Sequence, residues 1–160
     1  MPNPTYLAAM LFAATCFAQT PDAPKFYKLD FVVKEVEATK VVNARSYSTM
    51  ISDKSIWPNS IRAGSKVPYN TSGTQYQYAE VGVNIDCRAA MEIGSELSLV
   101  VNAEVSSTAP ESPQNTPIIR QNKWASTVLV PIRKPVIIFS SDDAITKRQM
   151  QLELTATPVK

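Results

Sequence analysis

Apolar and polar residues alternate along much of this chain, and this pattern limits the possible folds to those built from β-strands. Every second residue is apolar in two neighbouring segments, residues 81–87 and 97–105, and Gly94 and Ser95 lie between them. A period of two places successive side chains on opposite faces of a β-strand, whereas a helix would need a period of 3.6 residues. Because glycine and serine favour turns, these two segments predict an antiparallel hairpin with one buried face.

β-branched residues support the same prediction along the rest of the chain. Val, Ile and Thr contribute 15, 11 and 13 residues, which is 39 of 160. Such side chains pack better on a pleated sheet than on a helix. We expect further strands at residues 29–34, 41–51, 61–68, 118–132, 136–139 and 150–156. These segments predict an all-β fold, an antiparallel sandwich or a barrel-like pair of sheets with about eight strands.

Turns and loops separate the expected strands. Turns are predicted at residues 38–40, 69–74 and 133–135. The three prolines within residues 106–117 predict a long loop. The one segment of the mature chain that suits a helical turn is residues 141–148, where the side chain of Ser141 or Asp142 is a suitable N-cap.

A 13-residue apolar run ends at Ala18. It is too short to span a bilayer and has the length of a signal-peptide core. We therefore expect residues 1–18 to be a signal peptide cleaved after Ala18, residues 19–25 to be a short linker and residues 26–160 to form a single β domain. The alternatives are a buried N-terminal helix and a lipoprotein signal in which Cys16 is acylated.

Composition excludes several classes of function. The chain has no histidine, which removes Ser-His and Cys-His catalytic pairs and most zinc sites. Four glycines are too few for a phosphate-binding loop, and a net charge of +2 is too small for a nucleic-acid binder. Asp142 and Asp143 lack further ligands at metal-binding spacing, and Cys87 is expected to be a small buried hydrophobe. We therefore expect no enzyme activity, no catalytic residue, no metal, no cofactor and no nucleic-acid partner.

Aromatic residues form a candidate ligand surface. Tyr76 and Tyr78 alternate with glutamines, so both are expected on one face of a strand. Together with Trp57, Tyr69 and Trp124 they predict a platform for a ligand, a membrane-interface belt or cross-strand packing at the edge of the core. A platform would indicate a soluble periplasmic module that binds a small molecule or glycan.

Four segments occur in an order that resembles a known family. They are AGSKVP at residues 63–68, YAEVGVNI at residues 78–85, LSLVVNAEVSS at residues 97–107 and the strand-rich segment 120–138. This order resembles the C-terminal homology region of secretins, the ring-forming outer-membrane channels of type II and type III secretion and of type IV pili. The resemblance covers roughly residues 55–140. Ala89 and Ala90 stand where that family usually has a proline, and Phe139–Ser141 replace its glycine pair.

The resemblance implies a short, stand-alone and divergent version of that region. It implies a non-catalytic, exported component of envelope assembly, secretion or pilus machinery, in the periplasm or associated with the outer membrane. The implied partners are further copies of the chain or envelope secretion and pilus proteins. In that family the loop after the first segment lines the lumen, and a second candidate contact is the turn at residues 133–135. The residues expected to form the contact surface, including the aromatic candidates, are Pro68, Tyr69, Tyr76, Tyr78, Trp124, Arg133 and Lys134.

Overall fold

Eight β-strands make up most of the residues that the computed structural model describes, which are 22–72, 75–108, 118–143 and 148–159. The strands are β1 (Phe26–Glu37), β2 (Lys40–Ser52), β3 (Asn59–Ser72), β4 (Gln75–Ile93), β5 (Glu96–Thr108), β6 (Ile119–Pro131), β7 (Val136–Asp142) and β8 (Arg148–Val159). No helix long and apolar enough to cross a membrane occurs within these ranges. The all-β prediction is confirmed, and the expected signal peptide, residues 1–18, lies outside the described residues.

The strands form two four-stranded antiparallel sheets. Sheet I has the order β2-β1-β8-β7, and sheet II has the order β3-β4-β5-β6. Every ladder between neighbours is antiparallel, including the predicted β4–β5 hairpin. Sheet II is a simple meander, whereas in sheet I the last strand of the chain lies between β1 and β7. This arrangement confirms the sandwich prediction.

The core lies between the sheets and is built from one face of each strand. Apolar residues at alternate positions are fully buried, as the period of two predicts. Burying each large side chain contributes about 1.5–3 kcal/mol. Cys87 is among these residues, and burial, followed by the charge of Asp86, raises the pKa of its thiol to about 12. The largest fully buried side chains are Tyr27, Phe31, Leu29, Ile51, Ile85, Leu97, Leu99, Leu152, Leu154, Val33, Val83 and Val101.

Two local predictions were wrong. Residues 69–72 continue β3 rather than forming a turn, because Tyr69 pairs with Gln77 and the ladder supplies partners for the backbone. Ser141 and Asp142 belong to β7 rather than capping a helical turn, since they pair with Met150 and Gln149 of β8. The rest of these two predicted segments, residues 73–74 and 144–147, lies outside the described residues, as do residues 109–117 of the predicted long loop.

The two sheets are stacked so that their edges coincide. Contacts between the sheets join β2 with β3 along one side, and join β6 with β7 and β8 along the other. We call these sides the β2/β3 flank and the β6/β7 flank. Each flank therefore carries one edge strand of sheet I and one edge strand of sheet II.

Candidate functional site

Two glycines face each other across β3 and β4. Gly64 and Gly82 are direct Cα partners in the antiparallel ladder. A methyl group added at Gly64 would overlap the carbonyl oxygen of Val81, and one added at Gly82 would overlap the carbonyl oxygen of Ala63. Gly82 also has φ = 149°, a conformation that residues with a side chain rarely adopt. The strands therefore approach each other at this point in a way that only glycine permits.

Ser106 fixes the glycine pair to the neighbouring strand. Its hydroxyl oxygen accepts a 3.0 Å hydrogen bond from the backbone N–H of Gly82, and the side chain is buried. Gly64, Gly82 and Ser106 come from the first, second and third segments of the resemblance. The structure thus brings three separate sequence segments together at one point, which we call the glycine crossing.

Beyond the glycine crossing, β3 and β4 continue as a two-stranded ribbon. The pairing of β4 with β5 begins at Val83, so residues 75–82 pair only with β3 within the described chain. We define the ribbon as residues 65–72 and 75–81. A Lys66–Glu80 pair of 3.4 Å lies near its base, and residues 67–79 contain no Asp, Glu, Lys or Arg. Beyond the Lys66–Glu80 pair, the ribbon therefore carries no charged side chain.

Three of the predicted contact residues lie together on one face of the ribbon. Pro68 is the partner of Tyr78, and Tyr76 follows on the same face because it is two residues away. The side chains of Tyr76 and Tyr78 are 68% and 64% exposed. Tyr69 lies on the opposite face, where its hydroxyl donates a 2.8 Å hydrogen bond to Gln77 Oε1.

Trp124 lies away from these tyrosines. It is on the core-facing side of β6, where its ring stacks on Phe139 of β7 with centroids 5.7 Å apart and an angle of 3° between the planes. Trp57 is on the loop between β2 and β3, at the other end of the sandwich from the ribbon, and is 74% exposed. The five aromatic residues therefore do not form one platform, and a ligand- or glycan-binding module is not favoured.

Arg133 and Lys134 also lie at the end opposite the ribbon. They form the turn between β6 and β7, in which the backbone N–H of Arg133 donates a 2.8 Å hydrogen bond to the Ala156 carbonyl. Arg133 has φ = 65°, and both side chains are exposed. The predicted contact residues therefore occupy three places, namely the ribbon, the β6/β7 flank and this end of the sandwich.

The outward face of sheet II is polar and has paired charges. Arg62 donates two hydrogen bonds to the Asp86 carboxylate, at 2.7 and 2.9 Å, and Lys123 pairs with Glu104 at 3.2 Å. Burial alone would raise the pKa of Asp86, but hydrogen bonds from Ser60 and Arg62 lower it. An open recess of about 420 Å³ lies over this face, and its lining combines charged and amide side chains, such as Arg62 and Asp86, with the apolar surface of Trp124 and its neighbours. The paired charges on either side of this open recess keep the outward face of sheet II suited to contact with water.

Sequence reasoning missed a set of polar atoms on the edge strands. Within the described residues, three buried side-chain nitrogens have no hydrogen-bond partner: Arg45 Nε, Asn59 Nδ2 and Arg120 Nε. They belong to β2, β3 and β6, which are all edge strands. No local motif marks these residues, because their position at a sheet edge depends on the tertiary arrangement.

Comparison with solved structures identifies the architecture. The type II secretin XcpQ from Pseudomonas aeruginosa matches with a TM-score of 0.52 and 12% identity over 85% of this chain and 57% of that chain. The type III injectisome secretin InvG from Salmonella matches with a TM-score of 0.52 and 5% identity over 86% and 64%. The chain has a secretin-like fold.

A third match agrees with this fold. The secretin GspD from ETEC, in a complex with the pilotin AspS, has a TM-score of 0.52 and 10% identity over 86% of this chain and 48% of that chain. The secretin-like domain thus spans between 48% and 64% of the length of these three secretins. No family model and no curated protein matches its sequence. The resemblance predicted from four sequence segments is confirmed at the level of the fold.

Proposed function

We propose that this protein is a non-catalytic structural component of envelope secretion or pilus machinery, and that copies of the chain assemble side by side. The observation that carries the proposal is the direction of the edge strands. Both sheets have an even number of antiparallel strands, so the two edges of each sheet run in opposite directions. An edge of one copy can therefore form an antiparallel ladder with the opposite edge of the next copy.

Because the edges of the two sheets lie together at each flank, both sheets can pair with the next copy at the same time. The β6/β7 flank of one copy offers β6 and β7, and the β2/β3 flank of the next offers β3 and β2. A single head-to-tail contact can join β6 with β3 and β7 with β2 at the same time. Such a heterologous contact generates a ring if the rotation closes. Exposed edges of 13 and 14 residues in sheet II leave many backbone groups available for this pairing.

The ribbon and the turn at Arg133 and Lys134 are the proposed contacts with other molecules. The ribbon leaves the sheet at the glycine crossing and presents Tyr76 and Tyr78 with Pro68 on one exposed face. Tyrosine combines a large apolar ring with a hydroxyl and is common at protein interfaces. In a ring, identical ribbons would lie side by side at one end. The matching GspD structure contains a pilotin, which supports envelope proteins as additional partners and export to the periplasm or outer membrane.

The proposal is tested by the mass of residues 19–160 in solution, measured by light scattering after size exclusion, with and without detergent. We expect a large assembly of defined mass. Ser126→Lys places an inward-pointing charge on the core-facing side of edge strand β6, which should block pairing. Thr127→Lys is the matched control, because Thr127 is the next residue, is also exposed and faces outward. A monomer in all conditions, or equal effects of the two variants, would contradict the proposal.

A further inference from the structure

In each sheet, residues that lie directly opposite one another on successive strands form a row that runs from one flank to the other. In sheet I, Arg45 of β2 is opposite Val33, Val33 is opposite Leu152, and Leu152 is opposite Phe139 of β7. One row of core-facing side chains therefore begins with Arg45 at the β2/β3 flank and ends with Phe139 at the β6/β7 flank.

Sheet II contains a corresponding row. Ile61 of β3 is opposite Ile85, Ile85 is opposite Ala103, and Ala103 is opposite Trp124 of β6. Since Trp124 stacks on Phe139, the two rows end at the same height on the β6/β7 flank. When the sheets continue into a second copy without a shift in register, Phe139 is followed by Arg45 of that copy and Trp124 by its Ile61.

In a single copy of the chain, the stacked rings of Trp124 and Phe139 are only partly shielded from solvent. Trp124 and Phe139 pack against the core but are only partly buried, and Ser126, the next core-facing residue of β6, is exposed. On the opposite flank, Arg45 lies on the core-facing side of β2, and its buried Nε has no partner among the described residues. An arginine guanidinium packs favourably on an aromatic ring, and more strongly where water is excluded.

We infer that the Trp124–Phe139 stack is the receiving surface of the contact between copies, and that Arg45 and Ile61 of the next copy cover it. This inference rests on the proposed function, which requires side-by-side assembly, and adds the residues that determine its alignment. The partner is a second copy because only the opposite flank continues the rows. The location of unpaired nitrogens on β2, β3 and β6 agrees with it, since a neighbouring flank would bring acceptors to these strands.

Disulfide trapping tests the alignment. Directly opposite residues in an antiparallel pair have Cα atoms about 4.5–5.5 Å apart, which permits a disulfide. In a background with Cys16→Ala and Cys87→Ala, we expect Arg45→Cys with Phe139→Cys to give covalent ladders of dimers and higher species under mild oxidation. Ser46→Cys with Phe139→Cys is the control, since Ser46 is the next residue and faces the other side of the sheet. Tyr47→Cys and Asn43→Cys, each with Phe139→Cys, detect a register shifted by two residues.

A second measurement leaves the stack intact. In a Trp57→Phe background, Trp124 is the reporter, and we expect its emission to shift to shorter wavelength as copies assemble. Arg45→Met and Arg45→Glu should raise the concentration at half-assembly, by about 3- to 30-fold for Met, as expected for loss of one partly desolvated cation–ring contact. Assembly seen by light scattering without trapping at residue 45 overturns this inference alone, and trapping at residue 43 or 47 instead would identify the shifted register. Assembly with no shift in Trp124 emission also overturns it alone. A chain that stays monomeric overturns it together with the proposed function.

Discussion

Tyr27 and Glu92 join the two sheets at the end where the described chain begins. The Tyr27 hydroxyl donates a 2.8 Å hydrogen bond to Glu92 Oε2, and Lys25 Nζ donates a 2.6 Å bond to the same oxygen. Tyr27 belongs to β1 in sheet I and Glu92 to β4 in sheet II. Burial, followed by the bond to Glu92, raises the pKa of Tyr27 to about 12. This hydrogen bond links the two sheets at the edge of the apolar core.

Removing the Tyr27 hydroxyl should destabilise the sandwich. We expect Tyr27→Phe to lower the free energy of unfolding by about 1 kcal/mol, because one partly buried hydrogen bond is lost while the ring remains. Urea unfolding followed by circular dichroism measures the change. Tyr69→Phe is the matched control, since it removes an exposed Tyr–Gln bond of the same length, 2.8 Å. Equal losses in the two variants would show that the hydrogen bond between the sheets stabilises the fold no more than an exposed one does.

Stability should fall in acid, and Glu92 should contribute to the fall. Hydrogen bonds from Lys25 and Tyr27 lower the pKa of Glu92 in the folded chain. The unfolded chain therefore binds this proton at higher pH than the folded chain does. The stabilisation is complete above the unfolded value of about 4.3 and is lost as the pH falls through the folded pKa.

Glu92→Gln provides the test of this pH dependence. The amide oxygen can still accept from Tyr27, but the group no longer titrates. We expect urea midpoints measured between pH 7 and pH 3 to decline less steeply in Glu92→Gln than in the wild type. A parallel decline would assign the acid sensitivity to other carboxylates, such as Asp86, whose pKa is also lowered.

The glycine crossing should tolerate no side chain. We expect Gly82→Ala to lower the free energy of unfolding by about 3 kcal/mol or more, because its methyl group meets backbone that cannot move aside. Gly94→Ala is the comparison. Gly94 has φ = 62°, but its added methyl group meets nothing within 4 Å, so a cost of about 1–2 kcal/mol is expected. Chemical denaturation of both variants measures the difference, and similar costs would refute the close approach.

Cys87 should react with thiol reagents only after unfolding. The side chain is fully buried, and a pKa raised to about 12 leaves little thiolate at pH 8. In a Cys16→Ala background, we expect modification by a disulfide reagent to follow the urea unfolding curve. Rapid reaction of the folded protein would show that the core near Cys87 opens without global unfolding.

Local patterns were sufficient for the strands and their buried faces. The alternation in residues 97–105 correctly predicted that Leu97, Leu99 and Val101 are buried. In a strand with this period, all the apolar side chains lie on one face, and that face packs on the core. The same reasoning failed for Tyr69, because turn-forming residues extend a strand when a partner supplies the ladder. It grouped Trp124 with Tyr76 because both are aromatic, although they lie on strands with different surroundings.

Local residue patterns are enough to predict the all-β class, the buried faces of the central strands and the order of the segments that resemble secretins. They do not predict that β8 lies between β1 and β7, that Gly64 is opposite Gly82, or that Trp124 stacks on Phe139 at a flank. The physical reason is that periodicity specifies which side of a strand avoids water, whereas strand partners are chosen by burial over the whole sandwich. Edge positions, and with them the proposed contacts between copies, follow from that choice.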